Sequence, residues 1–150
     1  MRKQIGLVVA IVALAVPAVA AAAECRDVAG GFSAGPPPPG TCLSFFCTAG
    51  ALEGDLKGSY FFTATGVTPT GGLTGASTIT LRSGMQLLGS DVSELGAANE
   101  EGLIPFITTV DIVGGTGKYD DAGGQIVATG LLDPVAGTTT GAYTGTVCKK

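Results

Sequence analysis

From Gly50 onward the chain reads in steps of two, with glycines inside the steps as well as between them. In "LEGDLKGSYFFTAT", Leu52, Leu56, Tyr60 and Phe62 share one parity, while Glu53, Asp55, Lys57 and Ser59 share the other. That is the pattern of a strand with one dry face and one wet face. "ASTITLRS" and "MQLLGSD" meet across Ser83 and Gly84 and read as a hairpin. In "IPFITTVDIV" the residues Ile104, Phe106, Val110 and Ile112 fall on one face, and "GQIVATGLL" and "TTTGAYTGTV" complete the series. No long helical period occurs, although one turn of helix is expected near residues 91–98. Gly54, Gly58, Gly130, Gly141 and Gly145 would weaken flat strands, but they suit a sheet that bends to close on itself. Closure also removes exposed edges. The expectation is one all-β domain, a closed antiparallel barrel, over residues 47–150.

The N-terminus points to export. Arg2 and Lys3 precede an apolar run from Ile5 to Val16, then Pro17 and the small residues of "AVAAAAE". This is the layout of a secretory signal peptide over residues 1–23, cleaved after Ala23, and it implies a secreted or periplasmic protein. Removing it takes away two cations and no acid, so the remaining chain carries a net charge of about −6. Such a chain repels phosphate backbones and anionic lipid, so nucleic acid and membrane are not expected partners.

Cys25, Cys42, Cys47 and Cys148 are an even set in an exported chain and read as two disulfides. With no histidine and no zinc-like spacing, no metal site is expected. Three pairings are open. In an up-and-down barrel with an even strand count, the first strand begins where the last one ends. If the first strand starts at Cys47, then Cys47 should pair with Cys148. Cys25 would pair with Cys42, pinning residues 24–46 as a lead-in whose "GPPPPG" is a stiff polyproline II spacer.

"GGTGKYDDAGG", residues 114–124, is the stretch most like a ligand loop. It fails as a phosphate loop, because Ile112 stands where the first glycine should be and Tyr119 follows the lysine. It fails as a dinucleotide loop, because Asp120 takes the place of the third glycine. Adjacent Asp120 and Asp121 lack the alternation of a calcium loop. A tight connection between two strands fits throughout, with Tyr119 folding its ring over the barrel end.

With its flanks, as "IVGGTGKYDDAGGQIVATG", this stretch resembles the strand–turn–strand of the allene oxide cyclase-like barrels, a group that includes the plant dirigent proteins. Gly114, Gly115, Thr116, Gly117, Tyr119 and Gly124 match that group's turn element. "GAYTGTVC" is similar to the end of secreted bacterial members. The resemblance implies an eight-stranded antiparallel barrel with a largely apolar interior. Trimers are common in the plant relatives, so it also leaves a homo-oligomer open. Those relatives cyclise an unstable epoxide or steer radical coupling, using a few polar groups inside the barrel. None of those groups aligns with a position here, and no catalytic residue is assigned.

The residue types narrow the chemistry further. Without histidine there is no Ser–His triad. Oxidised cysteines supply no thiolate. Of the acids, Asp91, Glu94, Glu100, Glu101 and Asp111 are expected to be solvated, with Asp111 pointing outward, and Arg82 belongs on the surface. No cofactor is expected. The leading reading is a binding or structural module for an apolar small molecule, with Tyr60, Phe62, Phe106 and Tyr143 lining or filling the interior. The alternatives are a cyclase or isomerase that encloses an apolar substrate, and an inert barrel whose outer face or lead-in docks a protein.

Overall fold

The computed structural model describes residues 23–149. The leader read at residues 1–23 lies outside them, apart from Ala23. The described chain is all-β. Its eight strands are β1 (Glu24–Gly35), β2 (Cys47–Leu52), β3 (Gly58–Val67), β4 (Leu73–Leu81), β5 (Gln86–Leu95), β6 (Ile104–Gly115), β7 (Gly123–Asp133) and β8 (Thr138–Lys149). Each pairs antiparallel with the next, and β8 returns to β1, so the sheet is a closed up-and-down barrel. The architecture is the one expected.

Alternating direction sends the connections to two opposite ends. The β2–β3, β4–β5 and β6–β7 connections share one end with the start of β1 and the finish of β8. The other four connections share the opposite end.

Four expectations need correction. Residues 24–35 are not a lead-in but the first barrel strand, in register with β8 from Glu24↔Lys149 to Ala34↔Thr139. The proline run therefore lies in the β1–β2 connection rather than ahead of the barrel. Second, neither expected disulfide, Cys47–Cys148 or Cys25–Cys42, forms: because β1 and not β2 is the first strand, Cys25 lies opposite Cys148 and bonds to it. Cys42 bonds to Cys47 and closes the β1–β2 connection. The "LEGDLKGSYFFTAT" stretch is not one strand either. A short 3-10 turn at Gly54–Leu56 splits it into β2 and β3, and Gly54 has φ +84° there. The parity argument nevertheless sorts its apolar side chains correctly, since Leu52, Leu56, Tyr60 and Phe62 all face the interior. Fourth, the helical turn near residues 91–98 does not form, because β5 runs on to Leu95 and pairs with both neighbours.

The "GGTGKYDDAGG" stretch is a connection, as expected. It joins β6 to β7 through a 3-10 turn at Gly117–Tyr119. Gly114, Gly117 and Gly124 have φ of +152°, +59° and +115°, a region that side chains with a Cβ disfavour. Tyr119 is buried in the core at that end, and Lys118 holds its Nζ 5.3 Å from the ring centroid.

Candidate functional site

One end of the barrel is plugged. Leu56 and Leu87 are fully buried there, packed with Val28, Tyr119, Ala122 and Val147. Tyr143, on β8, locks the plug to the β2–β3 connection. Its hydroxyl donates to the Glu53 carbonyl at 2.8 Å and accepts the Leu56 N–H at 2.9 Å. Burial raises its pKa from the usual tyrosine value, the Leu56 hydrogen bond partly opposing this. Tyr143→Phe should therefore leave the Glu53 carbonyl and the buried Leu56 N–H without their partner. We expect a loss of about 2 kcal/mol in urea denaturation with the fold retained. A neutral result would show that water replaces the hydroxyl.

Beyond the plug the interior is hollow. A cavity of about 120 Å³ runs toward the other end. That volume far exceeds one water and approaches the roughly 150 Å³ of an apolar cavity that accepts a benzene ring. Its walls are mainly aromatic and aliphatic, with Phe32, Tyr60, Phe62 and Phe106 among them. The Phe32 ring meets Tyr60 edge-on at 6.2 Å and Phe106 at 6.1 Å between centroids. Phe46, Leu73, Leu95 and Leu132 stand where the cavity reaches the open end. Outside the mouth, on the β1–β2 connection, Leu43 and Phe45 are 94% and 65% exposed.

Of the four aromatics read from the sequence, Tyr60, Phe62 and Phe106 line the cavity wall and Tyr143 forms part of its floor. The residues of the turn motif lie at the plugged end, outside the cavity. Phe32 joins them on the wall, although its strand has the sequence texture of a lead-in.

The principal polar group of the cavity also departs from expectation. Asp91 is not solvated. It points inward from the middle of β5 and is 4% exposed. Glu94, Glu100, Glu101 and Asp111 are exposed as expected, and so is Arg82. Asp111 is tied at the surface by the Gln125 amide at 2.8 Å. Ser77 Oγ, on β4, donates to Asp91 Oδ1 at 2.9 Å. Asp91 Oδ2 has no protein donor among the described residues, and it is not sealed away from the cavity. Gly89 makes the Ser77–Asp91 pair possible. A Cβ there would come within 2.6 Å of Ser77 Oγ and 2.4 Å of Val110 Cγ1. Ser93 and Thr108 satisfy each other nearby at 2.7 Å. Burial in these apolar walls raises the Asp91 pKa from 3.8 to about 6, the Ser77 hydrogen bond partly opposing the shift. Tyr60 is likewise raised by burial and reaches Thr139 Oγ1 at 3.4 Å.

A carboxylate in this setting can hold a hydrogen-bond donor or a cation, or exchange a proton near neutral pH. Among the described residues no group of acids or cysteines is arranged to hold a metal ion.

No protein-family model matches the chain, and no curated protein sequence does. Among solved structures, the fold is similar to that of a pterocarpan synthase dirigent protein. The identity is 15%, the match covers 85% of this chain and 86% of that one, and the TM-score is 0.35. The closed barrel itself rests on the strand pairing.

Proposed function

We propose that this barrel is a small-molecule-binding protein of an oxidising compartment. It seats an apolar, ring-bearing ligand in the cavity, with Asp91 as the polar anchor. One observation carries the reading: a carboxylate with a free oxygen is buried among aromatic walls, in a cavity closed at one end and reaching the other. Binding sites of this kind are mostly apolar with a few placed polar groups. The two disulfides fit an oxidising compartment, and the leader-like residues 1–23 support export as the route.

The test is calorimetric titration with benzyl alcohol, using the disulfide-intact protein and its Ala128→Phe variant. Ala128 lines the cavity, so a ring at that position would fill it. We expect saturable binding that the variant abolishes. Absence of saturable binding to the unsubstituted protein would sink the reading.

A second reading, a cyclase or isomerase, rests on the same side chain. An acid titrating at about 6, with Oδ2 open to the cavity, is suited to donating or accepting a proton. For an enzyme, Asp91→Asn would abolish turnover even at saturating substrate.

A further inference from the structure

We propose that the ligand this cavity selects is an organic cation, a ring carrying a protonated amine. The inference rests on reading the cavity as a binding site, and it names the chemistry of what enters.

The cations among the described residues are confined to one end of the barrel. The cations of the described residues are Arg26, Lys57, Arg82, Lys118 and Lys149. Arg26 and Lys149 stand at the β1–β8 seam beside the plug. Lys57, Arg82 and Lys118 stand on or beside the β2–β3, β4–β5 and β6–β7 connections at the same end. None of them lines the cavity. The open end has acids and no cation among the described residues. Glu94 lies near the finish of β5, Glu100 and Glu101 follow in the β5–β6 connection, and Asp133 ends β7. Asp133 Oδ1 already caps its own turn, accepting the N–H groups of Val135 and Ala136 at 2.9 and 3.0 Å. A molecule approaching the mouth therefore meets acids and apolar side chains and no cation among the described residues, whereas at the plugged end the cations stand among Glu24, Asp27, Glu53, Asp55, Asp120 and Asp121, with Lys57 paired to Glu53 and Lys149 to Glu24. Such an arrangement draws in cations and turns anions away.

The interior repeats the preference. Asp91 faces the Ser77 hydroxyl from β4 and Val110 from β6. Among the described residues, the other titratable groups on the cavity are Tyr60 and Tyr143, and the Tyr143 hydroxyl is committed to Glu53 and Leu56. No basic group among them answers the carboxylate. A buried carboxylate without a cation is unfavourable, and a ligand ammonium whose N–H points at Oδ2 supplies the missing charge. The aromatic lining of Phe32, Tyr60, Phe62 and Phe106 suits the same ligand, since aromatic rings attract cations and pack against apolar rings. An anionic ligand would find no cation on the wall, only hydroxyls such as those of Thr48, Tyr60 and Thr139. A neutral one could hydrogen-bond but would leave the carboxylate without a counter-charge.

The test compares three probes of one shape, benzylamine, benzyl alcohol and benzoate, titrated into the disulfide-intact protein at pH 8. We expect benzylamine to bind about ten- to a hundredfold tighter than benzyl alcohol, with benzoate weakest. Benzylamine affinity should fall as the pH drops through about 6, where Asp91 takes up its proton, while benzyl alcohol affinity stays level. Asp91→Asn should cost benzylamine far more than the alcohol and bring the two probes to the same level. If the alcohol binds as tightly as the amine, or if Asp91→Asn leaves the amine unaffected, the cation inference falls and the pocket stands. If none of the three binds, the pocket reading falls and takes this inference with it.

Discussion

Replacing Cys25 and Cys148 together by serine is expected to remove about 4–5 kcal/mol of stability, the entropy of closing a loop of more than a hundred residues. Small domains have only about 5–15 kcal/mol in total, so the variant should sit near its unfolding midpoint in dilute buffer. The topology sharpens the expectation. β1 is held to β2 only over Phe32–Gly35, whereas its pairing with β8 runs from Glu24 to Ala34. The seam that closes the barrel is therefore also the main attachment of β1, and Cys25–Cys148 sits at its outer end. Once that seam frays, Val28 leaves the plug and Phe32 leaves the cavity wall. Cys42–Cys47 spans only five residues and should contribute about 2 kcal/mol. Urea titration of the two double-serine variants, each with the other disulfide intact, measures the difference. A larger loss from the Cys42/Cys47 pair would mean that the β1–β2 connection, and not the seam, holds the barrel closed.

The sequence announces some of these strands and hides others for physical reasons. β6 is plain because large apolar side chains occupy one parity, from Ile104 to Ile112, and Asp111 marks the wet face between Val110 and Ile112. β1 is hidden because its inward row is Val28, Gly30, Phe32 and Ala34, mostly small, opposite an outward row that is also small. The proline run that follows makes the whole segment resemble a spacer. The disulfide pairing inherits the same difficulty: the closure argument holds, but it applies to β1 and not to β2. Asp91 is harder to find. In "QLLGSDVSEL" one parity reads Leu87, Gly89, Asp91, Ser93, Leu95 and the other Leu88, Ser90, Val92, Glu94. Each row mixes apolar and polar residues, so period two does not decide which row faces inward. What settles it is tertiary: Leu87 enters the plug, and that fixes the parity of the strand.

Asp91 also gives the protein a dependence on pH opposite in sign to that of a salt-bridged carboxylate. Its folded pKa is raised to about 6 against 3.8, so between these values the folded state holds more protons than the unfolded one. This side chain's contribution is therefore most favourable below 3.8, and it is lost as pH rises through about 6. The full difference is roughly 3 kcal/mol at neutral pH. Asp91→Asn keeps the shape and an acceptor for Ser77 Oγ but carries no charge. The variant should be more stable than the unsubstituted protein by roughly 2–3 kcal/mol at pH 7.5, and the gap should close as the pH approaches 4. Urea titrations of both proteins at the two pH values decide this. A variant equal to or less stable than its parent at pH 7.5 would mean that water already solvates the carboxylate, and that the cavity is wet rather than apolar. The same titration with benzylamine present joins stability to function. A bound cation removes the penalty that the empty cavity places on the charged carboxylate, so the amine should stabilise the parent most at high pH and Asp91→Asn much less. A charge that weakens the empty barrel and strengthens the loaded one is a destabilising residue with a binding role, which fits its place in an otherwise apolar interior.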